Sequence, residues 1–256
     1  MTEEHHIPFH AHLEELRTRL IRSFIAIAVG FIISYAFREQ LFEILTAPLR
    51  SVMPPGDKLI FTGLPEAFFT YLKAAFLSGI FLAVPYITYE FWMFISPGLY
   101  HKEKRVLIPV ILLSSLFFLG GAFFGYFVVF PYGFTFFLSF SSESLQALPS
   151  MSEYLSFSSK LLIAFGLVFE LPLVLTSLAR LGVVTVPFLK KNRKYALLIF
   201  FAGAAILTPP DVVTQIMMAF PLMLLYEVSI IGAKIFGRKK SVQEDISEEN
   251  KPGKNI

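Results

Sequence analysis

Six apolar runs separated by short charged stretches organise the chain, at residues 21–37, 68–95, 106–130, 155–179, 195–207 and 212–226. The first four approach or exceed the roughly 20 residues that a helix needs to cross the hydrocarbon layer. The fifth reaches only about 20 Å at 1.5 Å per residue, against a core of about 30 Å, and the sixth is similarly short. This pattern predicts an all-α polytopic membrane protein with six transmembrane helices, of which helices five and six are short. The second run is longer than a bilayer requires, so it is expected to tilt or protrude and to bend at Pro85, with Trp92 at its far end where interface aromatics sit. The third run is expected to end at Pro131. Residues 38–65 carry Pro48, Pro54, Pro55, Gly56 and Gly63, and the helical spacing over 39–49 predicts a short surface helix within a structured outer cap.

Composition agrees: 256 residues, 55% hydrophobic, 30 Phe and a mean hydropathy of +0.65 leave too little polar surface to coat a soluble domain. The net charge of +3 matters less than its distribution. With the N-terminus inside, seventeen of the 22 lysines and arginines fall on the cytoplasmic side, so both termini are expected there. Residues 1–233 form the membrane domain, with an N-terminal cytoplasmic segment of about 1–20, and 234–256 read as a charged, disordered tail. The first run follows an acidic, His-containing start and lacks a small-residue cleavage pattern, so it is expected to remain as a helix.

Zero cysteines exclude disulfides, iron–sulfur clusters and a thiol nucleophile. No Walker loop, zinc-helix, GxSxG or GxGxxG signature occurs in the required context, so no enzymatic activity and no cofactor are expected. His5, His6, His10 and His12 invite a metal reading, but no Cys or well-spaced Asp joins them and a flexible tail accounts for them equally. No metal site is assigned.

Three places carry candidate chemistry. His12-Leu13-Glu14-Glu15-Leu16-Arg17 is a charged collar just before the first apolar run. On a helix Glu15 and Arg19 can pair four residues apart; alternatively one carboxylate is held unpaired for a cation from another molecule. Glu170 lies inside the fourth run, where an acid is costly and normally faces the bundle interior, a wet cavity or a partner. Thr208 and Gln215 flank the Pro209-Pro210 turn, where they either bond across helices or cap helix ends, and Asp211 is placed to cap helix six.

Several separated motifs then agree. His12-Leu13-Glu14-Glu15-Leu16-Arg17, Ala47-Pro48-Leu49, Phe94-Ile95-Ser96-Pro97-Gly98-Leu99-Tyr100 with Glu103, Tyr126-Phe127-Val128-Val129-Phe130-Pro131, Phe169-Glu170-Leu171-Pro172 and Leu207-Thr208-Pro209-Pro210-Asp211 resemble the TatC family, the signal-receptor subunit of the twin-arginine protein translocase. The resemblance runs from about His12 to Gly232. It implies a multi-pass protein of the cytoplasmic (inner) membrane that binds twin-arginine signal peptides of folded cargo and organises partner subunits for export. It implies that Glu15 and Glu103 receive the signal's arginines, with Arg17, Phe94 and Leu99 in the same surface, and that Glu170 is the intramembrane polar residue. TatA-type and TatB-type single-helix subunits are implied to dock near Thr208 and Gln215, within a complex holding further copies of the chain. Pro48 and Asp211 are structural positions. Glu14, Glu90 and the N-terminal histidines have no role under the resemblance.

The competing class is a proton-coupled secondary transporter using Glu170. Such folds often carry inverted repeats with matching broken helices, and segments five and six have no short counterparts in segments one to three. A membrane scaffold without a substrate of its own is a third class, which predicts no binding of a twin-arginine peptide.

Overall fold

In the computed structural model, residues 9–95, 107–142, 146–207 and 212–237 are described, and every regular element among them is helical. Helix α1 (Phe9–Tyr35) rises from the cytoplasmic collar and meets α2 (Arg38–Arg50) at a bend of 92°. Helix α3 (Glu66–Ile95) returns inward and runs unbroken through Pro85. The way out is α4 (Leu107–Phe124), a π-turn (Gly125–Val129) and α5 (Phe130–Leu138), and the way back is α6 (Met151–Phe169) followed by α7 (Leu171–Arg180). A short α8 (Val186–Lys191) precedes the last pair, α9 (Arg193–Leu207) and α10 (Val212–Phe236). Among the described residues, Glu66–Ile95, Ile108–Leu138, Met151–Arg180 and Gln215–Phe236 are each long and apolar enough to cross a membrane. With α1 and the short α9 they make the six segments that the sequence predicts.

Small residues let these helices approach. A Cβ added at Gly30 would lie 2.5 Å from the Gly79 carbonyl oxygen, and one at Gly79 would lie 2.5 Å from the Phe31 amide nitrogen, so α1 and α3 touch backbone to backbone. Between α4 and α6, Gly166 gives way to the Phe118 ring and Gly121 to Phe169 and the Phe165 carbonyl. Phe130, Leu155 and Phe165 fill the centre of the resulting core.

The expected outer cap is present and is tied down in two ways. Pro48 sits inside α2 and has no N–H to offer the Ile44 carbonyl one turn back; the Tyr126 hydroxyl supplies that donor at 2.6 Å. Tyr154 donates similarly to the Leu45 carbonyl at 2.6 Å. The two outer loops are then joined through Glu66. Its carboxylate accepts from the Thr62 amide (2.6 Å), the Gly63 amide (3.2 Å), the Ser150 hydroxyl (2.6 Å) and the Ser152 amide (3.2 Å), beside a backbone bridge between Ile60 and Ser150.

Four expectations change. The third segment does not end at Pro131 but continues to Leu138. The π-turn before it, where the Phe130 amide bonds back to Gly125, opens the helix enough for the proline to start a new stretch. Trp92 is not an interface aromatic: it is 2% exposed and packs edge-on against Phe91. The basic stretch 180–194 is not merely a loop, because Thr185 caps α8 by accepting from the Phe188 amide at 3.3 Å and Tyr226 donates to the Leu189 carbonyl at 2.9 Å. Segment six is not short: α10 has 25 residues, and its apolar span runs from Gln215 through Glu227 to Phe236. Glu227 pairs with Arg193 at 2.7 Å on the surface while Ile230 and Ala233 stay buried.

Candidate functional site: an acidic surface at the inner ends of α1 and α3

The collar folds as the first turns of α1, so Glu15 and Arg19 lie one turn apart on the same face. Arg19 donates twice to one Glu15 oxygen, from Nε at 2.9 Å and from Nη2 at 2.6 Å. Its third contact goes across the helix interface, with Nη1 donating to Glu90 Oε2 of α3 at 2.9 Å. Glu90 is 2% exposed and also has Arg22 at 3.8 Å from its other oxygen. The pairing reading of Glu15 and Arg19 is therefore realised, and it extends to a third residue. Glu15 retains a second oxygen, and its side chain is 29% exposed.

Around this triad, Phe94 stacks on His12 with ring centroids 4.4 Å apart. Arg17 and Glu14 are exposed on the collar. Leu99 and Glu103 lie outside the described residues, in the connection 96–106. The hairpin that carries this connection is antiparallel: the Thr88 and Ser115 hydroxyls meet at 2.8 Å. From that contact α3 runs seven residues on to Ile95, and α4 begins eight residues earlier, at Leu107.

Glu170 marks a break. It ends α6 and precedes α7, which starts with Pro172 in its first turn. One carboxylate oxygen accepts from the Ser114 hydroxyl of α4 at 2.8 Å, and the other is buried without a hydrogen-bond partner. A bond to a neighbouring helix is thus present, and half of the carboxylate's accepting capacity is unused. Gln215 of α10 donates to the Phe201 carbonyl of α9 at 3.0 Å, so the cross-helix option applies to it. Thr208 and Asp211 lie outside the described residues.

Two residues of consequence escaped the sequence reading. Glu90 was visible as an acid near the inner end of the second run, but its meaning depends on facing Arg19 and Arg22, which only the α1–α3 crossing supplies. Glu66 begins a helix, and nothing in its local sequence announces that it reaches the second outer loop.

The arrangement defines a class: a multi-pass helical membrane protein with a partly exposed carboxylate, braced by a buried ion pair, at the inner ends of α1 and α3. Comparisons with known proteins make this specific. The family model described as "Sec-independent protein translocase protein (TatC)" matches residues 11–221. The Sec-independent protein translocase protein TatC of Desulforapulum autotrophicum is 67% identical over 248 residues, covering 97% of this chain and 92% of the relative. That of Escherichia coli is 36% identical over 245 residues, covering 96% and 95%. A crystal structure described as the twin-arginine translocase receptor TatC superposes with a TM-score of 0.79 at 44% identity, covering 89% of this chain and 100% of that one. The chain belongs to the TatC family of Sec-independent protein translocase proteins.

Proposed function

We propose that this chain is the receptor subunit of the twin-arginine translocase and binds the paired arginines of export signals at its cytoplasmic face. The observation that carries the reading is the state of Glu15. Its carboxylate is fixed at one oxygen by Arg19, which is itself held by buried Glu90, while the side chain remains open to solvent. An acceptor already oriented loses little freedom when a guanidinium arrives, and its planar donor fork matches a carboxylate better than the compact ammonium of lysine. Glu103 is the second acceptor, contributed by the connection between α3 and α4; Phe94 and Leu99 give the signal an apolar seat, Arg17 lies in the same surface, and Lys102, Lys104 and Arg105 disfavour cations that are not correctly placed.

The apolar part of the signal lies along the bundle. Glu170, with one unused acceptor oxygen at the α6–α7 break, is the polar point at which the bundle opens when the signal inserts deeply. TatA-type and TatB-type single helices dock against the short α9 and the adjoining α10 near Thr208 and Gln215, and further copies of the chain complete the complex. A proton-coupled transporter gains no support from Glu170: among the described residues its hydrogen-bond partner is a serine, not a second ionisable group.

The test is crosslinking of a twin-arginine peptide, carrying a photoreactive group beside the arginines, to the membrane-inserted chain. Capture is expected in the native chain and is lost in Glu15→Ala and in Glu103→Ala with insertion unchanged. Undiminished capture in both variants refutes the proposal.

A further inference from the structure

Lys73 and Lys160 stand apart from the other cations, most of which lie at the cytoplasmic face. Both are exposed, Lys73 in the outer half of α3 and Lys160 at the middle of α6. The Lys73 ammonium donates to the hydroxyls of Ser156 (3.1 Å) and Ser152 (3.4 Å), which brings it level with the first two turns of α6. Lys160 follows Ser156 by one turn on the same face. Among the described residues neither lysine forms an ion pair with a carboxylate. Two ammonium groups thus line one groove on the outer side of the bundle without a paired carboxylate.

They stand beside a groove of about 770 Å³ between α1, α3 and α6. Its walls are apolar, formed chiefly by Phe24, Ile27, Phe31, Phe76, Ile80 and Ile163, and Ser156 and Ser159 accompany the lysines. The Ser159 hydroxyl is buried with no hydrogen-bond partner. The groove opens toward lipid, since Phe24 is 66% and Phe76 51% exposed.

We propose that this groove holds one anionic phospholipid of the outer leaflet, its phosphate between Lys73 and Lys160 and an acyl chain along the phenylalanine wall. Charge complementarity selects the headgroup: two cations and nearby hydroxyls suit a phosphodiester that lacks a compensating ammonium. Lysine stems also suit this position, because they lie along apolar surface and carry the charge outward to the phosphate level. The site is independent of the signal-binding surface at the opposite face.

The experiment uses the full chain extracted from bilayers of mixed phosphatidylglycerol and phosphatidylcholine, with retained lipid measured by native mass spectrometry. The native chain is expected to retain phosphatidylglycerol several-fold over phosphatidylcholine. Lys73→Gln with Lys160→Gln loses the preference, whereas Lys73→Arg with Lys160→Arg and the α8 variant Lys190→Gln keep it. A photoreactive side chain at Ile80 is expected to capture lipid, and inorganic phosphate in excess does not displace it. No preference in the native chain, an undiminished preference in the double Gln variant, displacement by free phosphate, or capture of a protein at Ile80 overturns the proposal.

Discussion

Arg19→Ala is the most informative single change, because it strands a carboxylate that the fold has already buried. Arg19 is 16% exposed and Glu90 2%, and the three Arg19 hydrogen bonds span 2.6 to 2.9 Å. Breaking a buried pair by removing one partner costs about 3–5 kcal/mol, mostly because the remaining charge is left uncompensated. Arg22, 3.8 Å from the other Glu90 oxygen and 56% exposed, offsets part of this, so a net loss of about 2–3 kcal/mol is expected. Were the contact only an exposed pair one helical turn apart, the loss would be about 0.3–0.5 kcal/mol. The two cases separate in denaturant titrations of the chain in detergent micelles. Pairing Arg19→Met with Glu90→Leu removes both charges and fills the space, and recovers most of the stability. A loss below about 0.5 kcal/mol for Arg19→Ala, or no recovery in the double variant, refutes the bracing role of the Arg19–Glu90 pair.

Other outcomes follow from particular contacts. Tyr126→Phe removes the donor to the carbonyl that Pro48 leaves free and costs about 0.5–1.5 kcal/mol in the same titration; in a Pro48→Ala background the cost shrinks, because the intrahelical donor is restored. Glu66→Ala unfastens the two outer loops, and limited proteolysis from the outer face should cut within 51–65 or 139–150 in the variant well before the native chain. Gly79→Leu drives α3 away from α1 and lowers stability by about 1–3 kcal/mol or more, whereas Gly120→Ala, which meets nothing within 4 Å, leaves it unchanged. Glu170→Gln keeps an acceptor for Ser114, so insertion and melting are preserved while export at limiting expression falls; normal export would remove Glu170 from the proposed opening of the bundle.

Much of this architecture was legible because membrane insertion leaves a coarse signature. Apolar runs fixed six segments and cation asymmetry fixed their direction, since both act over tens of residues. Local exceptions were not legible. Pro131 reads as a stop, yet a π-turn ahead of it carries the helix to Leu138, and the turn's first residue, Gly125, lies against Phe165 and Leu162 of another segment, a contact that local sequence does not show. Trp92 has the position of an interface anchor, but which face of α3 it occupies depends on neighbouring helices. The collar was found from sequence because Glu15 and Arg19 share a helix face. Glu90, seventy-one residues beyond Arg19, became meaningful only when the Gly30–Gly79 crossing fixed how α1 lies on α3.

The central claim is that this cytoplasmic surface distinguishes guanidinium from ammonium, and equilibrium binding of two signal peptides that differ only in Arg-Arg versus Lys-Lys tests it most directly. Losing even one charge-assisted hydrogen bond is worth about 1.5–3 kcal/mol, so the native chain should prefer the arginine peptide by about tenfold or more. That preference should collapse toward unity when Glu15→Gln and Glu103→Gln are combined. An equal affinity for the two peptides in the native chain, or an unchanged preference in the double variant, would contradict the account.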